Sequence, residues 1–158
     1  MKNKEYQGMT EQRDDIRDIS SPVACMQRVQ RAISAHDLEA MTACFEHDYE
    51  SQFPAHPDRA FTGHSQMRKN WSQIFAAVPD IQATLIRCTA EGDTAWAEWE
   101  WKGARLDGTP FLQRGVTVQG VPRGRIKWVR LYIEPVVVVG AGSDEAARRI
   151  TSGSNPNE

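Results

Sequence analysis

The spacing of apolar residues changes period once, at Val78-Pro79-Asp80, and that change constrains the fold more than any other feature. Before it, apolar residues recur at helical spacing; after it, they alternate as in strands. Val23, Met26, Val29 and Ile33 mark a first helix, which Ser21 can cap and Pro22 can open. His36-Asp37 breaks it, and Leu38, Met41 and Phe45 mark a short second helix. A strand is expected over residues 48–53, ended by Pro54 and Pro57. Thr62-Gly63 opens a third helix with Met67, Trp71, Ile74 and Val78 on one face, and Pro79 stops it. Strands are then expected over residues 81–90, 94–102, 110–119 and 125–134, with turns at Glu91-Gly92-Asp93, Leu106-Asp107-Gly108 and Pro122-Arg123-Gly124. Short turns between consecutive strands mean an antiparallel meander. Helices on one face of such a sheet make an α+β fold, and a long twisted sheet curls. The expected shape is a cone: a curved antiparallel sheet packed with three N-terminal helices and enclosing a pocket.

One domain is expected over residues 21–136. A flexible arm precedes it (residues 1–20), and a flexible tail follows (residues 137–158), with room for one short helix at residues 144–149. A chain of 158 residues is long enough for one substantial core. The net charge of -2 gives no general attraction to nucleic acid or to an anionic membrane surface. The apolar runs are short, such as the four valines at residues 136–139, and none approaches the length needed to span a bilayer. Residues 1–20 lack the apolar stretch of a signal peptide. A soluble, cytoplasmic protein without nucleic-acid or membrane partners is expected. Cys25, Cys44 and Cys88 are odd in number and form no CxxC pair, so reduced thiols are expected.

Strand parity assigns the faces. Ala95, Ala97, Trp99 and Trp101 share one face of their strand, and Trp96, Glu98 and Glu100 the other. In the last strand Val129, Leu131 and Ile133 oppose Trp128, Arg130, Tyr132 and Glu134. The more apolar set of each is expected inside. Glu98 and Glu100 are then expected to pair with Arg130 across the outer face. In the third strand of the meander, Leu112, Arg114, Val116 and Val118 alternate with Gln113, Gly115, Thr117 and Gln119. The apolar set is again expected inside, carrying Arg114 with it. The outer face keeps Trp96, Trp128 and Tyr132 among charges, a composition that suits a homodimer contact.

Taken in order, several of these residues resemble the SnoaL-like branch of the nuclear transport factor 2-like superfamily. They are His36-Asp37-Leu38, the stretch from Phe45 to Pro54, Gly63, Val78-Pro79-Asp80, and Gly124-Arg125-Ile126 with Arg130, Tyr132 and Glu134. The resemblance covers residues 22–135 and implies the cone fold, but no single function, since the superfamily holds isomerases, dehydratases, epoxide hydrolases, cyclases and binding modules. Ketosteroid isomerases of this fold use an aspartate before a proline, a tyrosine and a late-strand aspartate; those places fall on Phe53, Val29 and Val116 here. The arginine and two aspartates of limonene epoxide hydrolases fall on Trp99, Trp101 and Leu131. SnoaL-like cyclases use a last-strand carboxylate; the nearest is Glu134, whose parity points outward.

What remains is an apolar pocket with Phe53, Trp71, Trp99, Trp101, Val116, Val129 and Leu131 as expected lining, and Ser51, Asn70, His56 and Arg114 as its polar candidates. The expected function is binding of a small hydrophobic or aromatic compound, without a cofactor. The alternative is a lyase, isomerase or cyclase in which His56, held in the proline-fixed loop Pro54-Ala55-His56-Pro57, exchanges a proton while Arg114 stabilises an anion. A third reading has the tryptophans plugging the cone. His47, Asp48, His56 and His64 match no zinc spacing, so no metal is expected. Arg123, Arg125, Lys127 and Arg130 fall on a turn and on alternating strand faces, which reads as solvated charge.

Overall fold

A computed structural model describes residues 19–140 and 142–152. Except for its last two residues, the arm expected at the N-terminus lies outside them. Helix α1 (Pro22–Ser34) begins where Ser21 Oγ accepts the backbone N–H of Ala24 at 3.1 Å, with proline at its first position. Asp37 Oδ1 caps α2 (Leu38–Ala43) through the N–H of Ala40 at 2.9 Å. Phe45, expected on the second helix, instead opens strand β1 (Phe45–Gln52). A 3-10 turn (Pro57–Arg59) and the two-residue strand β2 (Phe61–Thr62) lead to α3 (His64–Ala77). The meander follows as β3 (Gln82–Glu91), β4 (Thr94–Ala104), β5 (Pro110–Gly120) and β6 (Ile126–Pro135). A fourth helix, α4 (Ser143–Ser152), lies in the segment expected as tail, and none of its residues is buried.

The six strands form one open, curved sheet in the order β2-β1-β6-β5-β4-β3. β3 to β6 pair antiparallel, as their turns require, whereas β1 joins β6 in parallel. In β3 the register shifts between Leu85 and Arg87, so Ile86 is an extra residue. Such a bulge sharpens the local twist. It also reverses parity: Ala83 and Leu85 face Trp101 and Trp99 before it, and Cys88 and Ala90 face Ala97 and Ala95 after it. At Gly115 a Cβ would lie 2.1 Å from the carbonyl oxygen of Tyr132, so only glycine lets β5 approach β6 this closely.

Helices α1 to α3 cover one sheet face. α1 crosses β3 and β4, where the Ser34 hydroxyl receives the N–H of Ala83 at 3.0 Å and donates to its carbonyl at 3.3 Å. Met26, Ile33, Met67, Ile81 and Trp99 are almost wholly buried between the layers. Each such aliphatic side chain contributes about 1.5–3 kcal/mol through burial. The three cysteines are free, with Cys25 and Cys44 buried. Among the described residues no helix is long and apolar enough to cross a membrane.

Candidate functional site

Between the helices and the inner sheet face lies a cavity of about 350 Å³. Its deep end is built by Met26, Val29 and Ile33 of α1, Met41 of α2, and Trp99, Thr117 and Gln119 of the sheet. Asn70, Trp71 and Ile74 of α3 form one side wall, and Val129, Leu131 and Ile133 of β6 form another. Arg59, Glu134 and Pro135 line it too and are exposed, which marks the mouth. The tryptophans therefore wall the cone without filling it.

Eight expected lining residues take their places: Ser51, Phe53, Asn70, Trp71, Trp99, Trp101, Val129 and Leu131. Val116 and Arg114 do not. Val116 is 37% exposed on the outer face, beside Trp96 and Glu98. The Arg114 guanidinium pairs with Glu100 across the outer face, at 2.7 and 2.8 Å. The parity of β5 is thus the reverse of the expected one: Gln113, Thr117 and Gln119 face the cavity. Hydrophobicity misled the assignment because the inward positions of β5 are polar, and Thr117 and Gln119 are satisfied by neighbours. Trp99 Nε1 donates to Thr117 Oγ1 at 2.9 Å, and the Gln119 amide donates to the Ala95 carbonyl at 3.2 Å. The turn at Asp107 carried the correct signal, since a hairpin centred there sets Trp99 opposite Gly115 and Trp101 opposite Gln113. Glu100 meets Arg114 and not Arg130 for the same topological reason: β5 lies between β4 and β6.

His56 does not line the cavity. Its Nε2 lies 2.8 Å from Oε1 of Glu134 at the mouth. A carboxylate only accepts, so Nε2 carries the proton and donates it. Glu134, assigned outward by parity, reaches the mouth from the end of β6. Tyr49, absent from the expected lining although it shares the strand parity of Ser51 and Phe53, lines the cavity beside Ser51. Burial pushes its phenol well above its ordinary pKa, against a smaller lowering from its hydrogen bond with Ser51. Trp101, 9% exposed, packs edge-on against Trp71 at 5.3 Å, and its Nε1 has no acceptor among the described residues. No grouping of His, Cys, Asp and Glu among the described residues could hold a metal ion.

A family model described as SnoaL-like domain matches residues 26–129. None of the curated proteins compared matches the sequence. Among solved structures, a putative polyketide cyclase from Streptomyces antibioticus, IdmH, is similar at 19% identity and TM-score 0.63, over 72% of this chain and 91% of that one. AclR, a putative hydroxylase from Streptomyces galilaeus, is similar at 14% identity and TM-score 0.64, over 84% and 92%. A hypothetical protein from Catenulispora acidiphila with a ketosteroid isomerase-like fold, solved with trimethylamine, is similar at 18% identity and TM-score 0.59, over 67% and 82%. At such identities the likeness is one of fold.

Proposed function

We propose a function that starts from this premise: the chain belongs to the SnoaL-like domain family. It binds a small hydrophobic or aromatic molecule in the cavity between helices and sheet. The observation that carries this reading is the cavity itself, about 350 Å³ and walled by Trp71, Trp99, Trp101, Leu131 and Ile133. A volume of this order, lined mostly by apolar and aromatic groups with a few placed polar ones, is what a small ligand needs. Native mass spectrometry of freshly purified protein tests it: a co-purifying small molecule is the expected result. Absence of such a species, together with tryptophan emission unmoved by a panel of one- and two-ring aromatics, overturns it.

A second reading rests on one observation, the His56–Glu134 pair at the cavity mouth. In SnoaL-like cyclases a last-strand carboxylate acts, and Glu134 is a last-strand carboxylate lining this cavity. With Nε2–H of His56 on one oxygen, the other is left to accept a proton from a bound molecule. The anion-stabilising role expected of Arg114 has no support, since that side chain lies on the opposite face. Conversion of the released ligand by fresh protein, absent in Glu134→Gln, favours this reading; a ligand recovered unchanged removes it.

The proposed assembly is a homodimer through the outer sheet face. Trp96, Val116 and Tyr132 are 40%, 37% and 42% exposed there. Glu98, Glu100, Arg114 and Arg130 supply both signs of charge around them, so the face complements itself under a two-fold axis.

A further inference from the structure

The walls of the cavity leave donors without acceptors. Among the described residues no hydrogen bond or ion pair engages the guanidinium of Arg59, although the side chain lines the mouth. The indole N–H of Trp101 is buried with no acceptor among them. Gln113 stands opposite Trp101 in the β4–β5 ladder, and its side-chain amide is likewise unengaged. Several of the acceptors nearby are taken. One oxygen of Glu134 is held by His56 at 2.8 Å, Thr117 Oγ1 receives Trp99, and Asn70 Oδ1 receives Gln66 at 2.8 Å. A buried or half-buried donor without a partner is costly, and a free guanidinium seeks an anion. The ligand must therefore bring oxygen acceptors, and its charge must suit Arg59.

We infer that the cavity takes an aromatic oxyanion, a carboxylate or phenolate, with its ring system between Trp71 and Trp99 and its charged group at Arg59. This rests on the binding reading above and assigns the ligand's polarity and orientation within it. The apolar depth of the cavity, from Met26 to Ile33, receives the ring system; a charge there would lack any partner. At the mouth the oxyanion stays partly hydrated, so the guanidinium compensates only the hydration it loses. Arg59 follows His56 by three residues across the Pro57–Arg59 turn, where its own N–H donates to the His56 carbonyl at 3.0 Å. The same turn thus holds both side chains of the rim, one on Glu134 and one free for a ligand.

The test compares 2-naphthoate with 2-naphthamide by titration calorimetry on the full chain, on Arg59→Gln and on Arg114→Gln. The neutral amide reports the cavity alone; the difference between the two reports the head group. The expected result is that 2-naphthoate binds about tenfold more tightly than 2-naphthamide, that Arg59→Gln removes this difference, and that Arg114→Gln preserves it. Arg59 is exposed, so its replacement leaves the thermal transition in place, which circular dichroism checks. Equal binding of the two probes, or a preference unchanged in Arg59→Gln, overturns the oxyanion assignment while leaving the cavity reading intact. Binding of neither probe overturns both.

Discussion

Trp99 is the residue on which the inner sheet face turns. It is 2% exposed, and its N–H reaches Thr117 Oγ1 across β4 and β5. Thr117→Val keeps the shape and removes the acceptor, leaving a buried indole N–H unmet. The expected cost is about 1–3 kcal/mol, read as a lower midpoint in urea unfolding. Tyr49 supplies a pH dependence. Its folded pKa is raised from the ordinary 10.0 by burial, so the folded state keeps the phenol proton that the unfolded chain gives up. The stabilisation is complete below pH 10 and is lost as pH rises beyond it, at up to about 1.4 kcal/mol per pH unit. Urea midpoints between pH 9 and 11.5 are expected to fall more steeply in the natural protein than in Tyr49→Phe; parallel curves contradict this.

At the scale of elements, the helices and all four strands of the meander were legible from period and punctuation. Ser21-Pro22, Asp37 and Pro79 set helix limits that match the observed caps and end within a residue or two. The inward faces of β4 and β6 followed from Trp99 and Leu131 because those sets are plainly apolar. β5 was not legible that way. Its inward residues Thr117 and Gln119 are polar but satisfied, its outward Val116 and Val118 are apolar, and one-strand hydrophobicity cannot see a partner on the next strand. The bulge at Ile86 was hidden for a similar reason: an extra residue in a strand is defined only by what it fails to pair with. At the site, parity placed Glu134 outward and gave no signal for Arg59, because they reach the mouth from a strand end and a turn, where parity does not hold. β5 also carries the prediction for this scale. Gly115→Ala places a methyl against the Tyr132 carbonyl and forces β5 away from β6. A loss of about 1–3 kcal/mol is expected, with reduced probe binding, since Gln113 and Thr117 shift with the strand. Unchanged stability and binding contradict the close approach.

For the whole molecule, the proposed dimer face makes the outer surface of the sheet testable apart from the cavity. Trp96→Arg is expected to yield a monomer by light scattering with probe binding kept; an unchanged mass removes that face as the contact. The parallel pairing of β1 with β6 has a different kind of consequence. Phe45 pairs with Ile126, and Ser51 with Val129, so the first strand must wait for the last. While the chain is being made, the N-terminal helices emerge with Met26, Val29 and Ile33 facing nothing; β3 and β4 cover them first, and the closing of this long loop completes the cavity wall. Contacts so distant in sequence slow folding. The chamber is thus the final piece of the architecture to come together, and a newly made chain stays sticky until its closing strand has docked.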